Sequence, residues 1–365
     1  MNKRIAIYAV GYGGKKFKMK SVLIEEINRI LKLNGCETLL FYGDESDMWM
    51  RSYNHYQVYE NFLNFCELEN VDIALFMEEL VNAGVLLAEL KARPYFKPKI
   101  VFHSNLREPH RSKARMMVFK ELLEMKQVKK AFFYSLIGKY AVPPDNWIAI
   151  NPDRNKYEMI GEPNVTSQYK ELIEDVKNDD NRVLFNLPHD KKIGLFFGRN
   201  VPTKGIDLLI KSLDHLDPNI HIFIVTHDLS GQTDNNIEEI RKQSNVTLLH
   251  EVVPEELVAR IFSASDFVIL PYKKQYEYGG SGVIKIAVAA KIPVVVSNIY
   301  PFNEAVSLFS LGEAYGTGSE IALARAINLV AKNNVEFINN AKFDKFEEVF
   351  SMHFDMAQRI IKCLE

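Results

Sequence analysis

Short apolar runs alternate with stretches of helical periodicity along most of the chain. Ile5-Ala6-Ile7-Tyr8-Ala9-Val10 is apolar throughout, as a strand buried on both faces of a sheet requires. It runs into Gly11-Tyr12-Gly13-Gly14. Leu23, Ile27, Ile30 and Leu31 then recur at helical spacing, which predicts a helix that stops at Gly35. Further strands are predicted at Thr38–Tyr42, Asp72–Met77, Lys99–His103, Ala131–Ser135 and Trp147–Ile150. The second half repeats the theme, with strands at Ile193–Phe197, His221–Thr226, Val246–Leu249, Phe267–Leu270 and Pro293–Ser297. Helical spacing such as Ile206, Leu209, Ile210 and Leu213 lies between them. Alternation of this kind implies parallel sheets covered by helices on both faces, and two successive sets predict two doubly wound domains.

The polar stretch from about Asp153 to Asp190 carries one helical pattern, at Tyr169–Val176, and reads as a connection. The expected organisation is therefore α/β: a Rossmann-like domain over residues 1–155, a connecting segment over 156–189 and a second Rossmann-like domain over 190–345. Beyond it, Phe346, Phe350, Phe354, Ala357 and Ile361 fall on one helical face that must dock on something.

Composition narrows the class. The chain's 365 residues exceed what one hydrophobic core usually serves. With 47% hydrophobic and 25% charged residues it is neither disordered nor fibrous. Cys36, Cys66 and Cys363 are too few and scattered for a disulfide framework or a zinc site, which points to a reducing compartment. No apolar run reaches membrane-spanning length, and no signal-peptide pattern opens the chain. Residues 1–150 hold 22 Lys+Arg against 17 Asp+Glu (net +5), and residues 151–365 hold 23 against 30 (net −7). The basic half suits an anionic partner, a phosphorylated substrate or a membrane surface; ordinary variation between domains accounts for it about as well.

Two loops stand at predicted strand-to-helix junctions in the second half. Gly198-Arg199-Asn200-Val201-Pro202-Thr203-Lys204-Gly205 puts two cations where backbone N–H groups and a helix dipole favour an anion such as a diphosphate. Tyr278-Gly279-Gly280-Ser281-Gly282-Val283 precedes a helix that is apolar nearly all round, and its bare glycines let a ligand approach the backbone. In a parallel sheet both would lie at the carboxyl ends of strands, where ligands bind. In the first half, Gly11, Gly13 and Gly14 and the lone His103 stand at equivalent strand ends, and Lys15, Lys16, Lys18 and Lys20 form a basic run beside the glycines. Each has a plain structural alternative: a solvated turn, a tight turn, a core histidine, a solvated helix start. A Walker A loop, the dinucleotide fingerprint, a nucleophile elbow, zinc spacing and a nucleic-acid pattern are all absent.

With these residues in view, the chain resembles the retaining glycosyltransferases of family 4, which have the GT-B fold of two Rossmann-like domains facing a cleft. Arg182 to Glu320 carries most of the match: Arg199 and Lys204 with Gly205-Ile206-Asp207, then Val246-Thr247-Leu248-Leu249-His250 through Val253-Pro254-Glu255-Glu256-Leu257, Ser265–Pro271, and Ser281-Gly282-Val283 leading to Pro293. Ile150-Asn151-Pro152-Asp153 resembles the hinge, and His103 matches the active-site histidine that contacts the donor sugar. The resemblance implies transfer of a sugar from a UDP- or GDP-linked donor to a glycan, lipid-linked or small-molecule acceptor. No metal and no other cofactor is expected. The catalytic set would be His103, Glu277, Arg199 and Lys204. The donor set would be Gly13, Gly14, Arg199, Lys204, Thr226, Val253, Gly279, Gly280, Ser281, Gly282 and Val283. The first domain would bind the acceptor, joined by the closing helix over 346–365, in a cytoplasmic protein with peripheral contact at the inner membrane face and no nucleic-acid partner.

The departures are specific. The family places two Glu eight residues apart around the last loop, and those places hold Tyr278 and Ile286 here, with Glu277 one residue early. The glycine-rich turn after the next strand is Thr226-His227-Asp228. The missing second Glu motivates an alternative, a non-catalytic GT-B subunit that binds or stabilises a partner transferase. A GT-B epimerase is a third reading, without an acid/base set to support it.

Overall fold

A computed structural model describes residues 3–8, 18–41, 55–77, 83–105, 112–141, 153–162, 166–227, 235–350 and 352–363. The chain divides into two compact units: Met1–Pro163 with Phe350–Glu365, and Asn164–Val349.

The first unit is built on β1 (Arg4–Tyr8), β2 (Glu37–Phe41), β3 (Ile73–Phe76), β4 (Lys99–Asn105), β5 (Val128–Ser135) and β6 (Tyr157–Gly161). They pair in parallel in the order β2-β1-β3-β4-β5-β6. Ile24, Ile27 and Leu31 of helix Lys18–Leu33 pack on Ile5 and Ile7, and helix His353–Lys362 adds Met356, Ala357 and Ile360 to the same cluster. The first helix stops where its glycine predicts. Gly35 is left-handed at φ +79°, and the Cys36 N–H returns to the Leu31 carbonyl at 3.1 Å. Another part of the core is aromatic, with Phe62 and Phe76 edge-to-face at 5.0 Å and Tyr8 against both.

The second unit is built on β7 (Lys192–Arg199), β8 (Ile220–His227), β9 (Val246–His250), β10 (Phe267–Leu270), β11 (Val294–Ser297) and β12 (Gly312–Tyr315). The order is β12-β11-β10-β7-β8-β9, again parallel. Read from β7, this is the doubly wound order whose direction reverses between β7 and β10. Phe196, Ile222, Ile224, Phe267 and Ile269 from the sheet meet Leu209, Ile210, Leu323, Ile327 and Val330 from the helices in one core.

Three expectations are corrected. The polar stretch over 156–189 is not a free connection: Tyr157–Gly161 is the edge strand of the first sheet, and helix Thr166–Val176 belongs to the second unit, where Lys170 pairs with Glu347. The closing apolar face is two helices, Phe343–Glu347 and His353–Lys362: the first ends in a turn at Glu348 and Val349, and the extended Met352 (φ −68°, ψ 148°) leads into the second. Phe346 packs on Phe309 in the second unit, whereas Ala357 packs in the first. β12 was not anticipated. The strand expected at Trp147–Ile150, the loop at Gly11–Gly14, Lys15 and Lys16, and the hinge residues Asn151 and Pro152 lie outside the described residues.

Candidate functional site

β7 ends at Gly198-Arg199, and the chain makes a short 3-10 turn, Pro202–Lys204, before helix Ile206–Ser212. Gly205 joins turn to helix at φ +72°, and a Cβ there would stand 1.8 Å from the Pro271 carbonyl oxygen. Only glycine lets this turn press so closely on the segment leaving β10. A second tie runs alongside, from the Lys273 N–H to the Thr203 carbonyl at 3.0 Å. The two segments flank the point where the strand order reverses.

That approach buries Lys204, which is 9% exposed. Its ammonium lies 3.8 Å from the Tyr272 ring centroid and 4.2 Å from that of Tyr276, and donates to Tyr276 Oη at 3.1 Å. The Tyr276 hydroxyl donates to the Gly280 carbonyl at 2.8 Å, and Tyr272 Oη meets Ser281 Oγ at 3.1 Å. Burial pushes the Tyr272 phenol well above its ordinary pKa, so it stays neutral. A cavity of about 440 Å³ opens against Tyr272, lined also by Asp207, Lys273 and Thr317.

Other predicted residues share this carboxyl edge. Arg199 is exposed at the end of β7. Thr226 sits beside Gly198 in the ladder, is buried, and its Oγ1 has no hydrogen-bond partner among the described residues. Val253 is half-buried between β9 and helix Glu255–Ser263. Gly279 packs so tightly that a Cβ would reach 2.8 Å from the Tyr276 carbonyl oxygen. Ser281 is the N-cap of helix Gly282–Ala289 yet makes no side-chain cap bond, and no acidic residue occupies the first turn. The opening amides, including that of Val283, therefore form a donor set that the cap leaves unoccupied. The Glu277 carboxylate accepts from Lys274 Nζ at 2.6 Å. Tyr278 is left-handed at φ +60°, with its N–H on the Tyr300 carbonyl at 2.7 Å, and Ile286 is buried.

His103 lies in the first unit, on β4. It is fully buried, with Nδ1 2.7 Å from Tyr134 Oη and its ring against Phe132 and Tyr134. Nε2 is buried without a hydrogen-bond partner among the described residues. Desolvation holds its pKa down at about 3, so the imidazole is neutral. Gly13 and Gly14 fall outside the described residues.

Sequence reasoning missed Tyr272, Tyr276 and Tyr134. The spacing Pro271-Tyr272-…-Tyr276 before a glycine pair was visible, but its relation to Lys204 depends on β7 and β10 being neighbours. Among the described residues, no group of three His, Cys, Asp or Glu could hold a metal ion, and no helix is long and apolar enough to cross a membrane.

Residues 177–345, which lie within the second unit, match the family model described as Glycosyl transferases group 1. A GDP-mannose:glycolipid 4-beta-D-mannosyltransferase of Xanthomonas campestris pv. campestris is 30% identical over 126 residues, which is 34% of this chain and 34% of that protein. The alignment therefore spans about a third of that relative's length. Among solved structures, sucrose-phosphate synthase from Thermosynechococcus elongatus superposes with a TM-score of 0.72 at 15% identity, covering 99% of this chain and 98% of that one. Anabaena HepE in complex with UDP gives 0.69 at 15% identity, covering 99% of each. At such identities the likeness speaks for the fold, and the fold is GT-B.

Proposed function

We propose that the chain is a retaining glycosyltransferase that moves a sugar from a UDP- or GDP-linked donor to a glycan, lipid-linked or small-molecule acceptor. One observation carries this reading: a buried ammonium, Lys204, stands at the strand-order reversal beside an uncapped helix start, inside a glycosyl transferases group 1 domain. Similar proteins, one a GDP-mannose-dependent mannosyltransferase and one in complex with UDP, favour these two donor classes.

The roles follow from charge. The leaving group is a nucleoside diphosphate, so negative charge grows on its phosphate oxygens as the glycosidic bond breaks. Lys204, Arg199 and the Gly280–Val283 amides would stabilise that charge as fixed donors, without reorganising when it appears, whereas the Gly279 N–H is taken by the Tyr276 carbonyl. In this reading no metal is needed. The acceptor hydroxyl would arrive on the leaving-group face, giving retention. Glu277 would orient the sugar. So would His103: if the Tyr134 phenol donates to Nδ1, the ring proton sits on Nε2 and offers a donor to a sugar oxygen. A neutral ring suits that task and not general acid work. The net positive charge of residues 1–150 would favour a phosphorylated or membrane-bound acceptor, in a cytoplasmic protein.

Lys204→Ala and Arg199→Ala should each cut sugar transfer by ~10²–10³-fold with the fold retained. Full activity in both variants, with melting unchanged, would sink the donor-site assignment. Ile286, buried where the family carries a ribose-contacting glutamate, favours the second reading of a non-catalytic subunit. Calorimetric titration separates the two, since a pure scaffold gives no heat with UDP or GDP.

A further inference from the structure

Lys204 is held from across the strand-order reversal by two aromatic side chains, and one of them also holds the glycine loop. We infer that Tyr276 is a positioning residue that sets Lys204 and the Gly280–Ser281 peptide together for a diphosphate. This rests on the donor reading above.

The hydrogen bonds admit one direction. Lys204 Nζ can only donate and the Gly280 carbonyl can only accept, so the phenol accepts from the lysine at 3.1 Å and donates to the carbonyl at 2.8 Å. In a trans peptide the C=O and the following N–H point oppositely. Fixing the Gly280 carbonyl toward Tyr276 therefore turns the Ser281 N–H away from it. A single hydroxyl thus orients a cation from the β7 side and a backbone donor from the β10 side. The ring adds a face 4.2 Å from the ammonium, with Tyr272 at 3.8 Å and the two rings 4.5 Å apart. These partners are uncharged, so they restrict the ammonium without neutralising it. The position is also fixed from below, because the Gly279 N–H returns to the Tyr276 carbonyl at 2.9 Å.

Tyr276→Phe keeps the ring face and removes the relay. Binding to the full chain is measured by calorimetry with UDP, GDP, inorganic pyrophosphate, uridine and guanosine. The variant should bind the diphosphates and pyrophosphate about tenfold more weakly, the factor of one hydrogen bond to a charged group, with nucleoside affinity unchanged. Lys204→Ala should lose at least as much, and the double variant should lose less than the sum of the two single losses, keeping only the Gly280–Ser281 share of the Tyr276 effect. Tyr276→Trp keeps a ring face and a donor for Gly280 but cannot accept from the lysine. It should show the same selective loss, which covers an unfolded Phe variant. Wild-type diphosphate affinity in both Tyr276 variants would overturn the inference, as would equal loss of nucleoside and diphosphate, or full additivity with Lys204→Ala. If the wild type binds neither UDP nor GDP more tightly than the nucleosides, the donor reading itself fails, and the inference with it.

Discussion

His103 shows what burial does to a single side chain. Its ring is wholly enclosed and its pKa is held down at about 3, against an ordinary value of 6.5. Unfolding releases the ring to water, where it takes up a proton below pH 6.5. Between about pH 6.5 and 3 the unfolded chain therefore binds one proton more than the native one. Stability falls with falling pH across that window, by up to ~1.4 kcal/mol per pH unit from this group. His103→Gln should remove that share of the slope. Urea unfolding of the first unit at pH 7, 6 and 5 measures it, and parallel slopes in variant and parent would contradict the assignment. At this scale part of the site was legible. Lys204 and Gly205 stand in one local string whose chemistry is readable. Tyr272 and Tyr276 were not, because they reach Lys204 only through strand adjacency. Tyr134 was hidden likewise, since it meets His103 across the β4–β5 pair.

Two helix starts in the second unit use the same residue differently. Ser319 caps helix Glu320–Lys332 by accepting the Ala322 N–H at 3.2 Å. Ser281 leads helix Gly282–Ala289, but its hydroxyl is engaged by Tyr272. Ser319→Ala should cost ~1 kcal/mol with nucleotide affinity unchanged. Tyr272→Phe should behave otherwise. It frees Ser281 to cap, so the lost hydrogen bond is offset, stability stays near wild type, and nucleoside diphosphate affinity drops because the opening amides are now occupied. Adding Ser281→Ala to that variant should restore affinity and lower the unfolding free energy by ~1 kcal/mol. Melting curves and UDP or GDP titrations of the three variants read both quantities. Most strands were visible as apolar runs because parallel strands are buried on both faces. β6 and β12 were missed because each carries a glutamate at its second position, Glu158 and Glu313, where the other edge strands β2 and β9 keep the apolar runs Leu39-Leu40-Phe41 and Leu248-Leu249. Tyr157, Glu158 and Met159 are only half-buried, as are Gly312, Glu313 and Ala314, and a half-wet strand carries a diluted signal.

For the whole molecule, the decisive element is helix His353–Lys362. It belongs to the first unit although the second unit's chain intervenes. Met356 and Ile360 are fully buried there, worth ~1.5–3 kcal/mol each in apolar burial. A chain ending at Val349 should therefore lose several kcal/mol from the first unit alone. The second unit, continuous from Asn164 to Val349, should melt as in the full chain and still bind UDP or GDP. Two melting transitions, with only one moved by truncation, are the expected result; loss of both would show that the units depend on one another. Doubly wound architecture was readable because alternation is a global pattern. The return of the closing segment was readable as a need to dock, but not its division into two helices, since the apolar spacing runs on through the turn at Glu348 and Val349.

This discontinuity also orders events during synthesis. After Pro163 leaves the ribosome, about 190 further residues precede His353. At ~5–20 residues per second the wait is roughly 10–40 seconds. Throughout it, Ile24, Ile27 and Leu31 have no closing helix to cover them, while the contiguous second unit can fold as it emerges. The half made first is thus finished last, and any chain cut short within its last few dozen residues presents an apolar seam to chaperones and proteases.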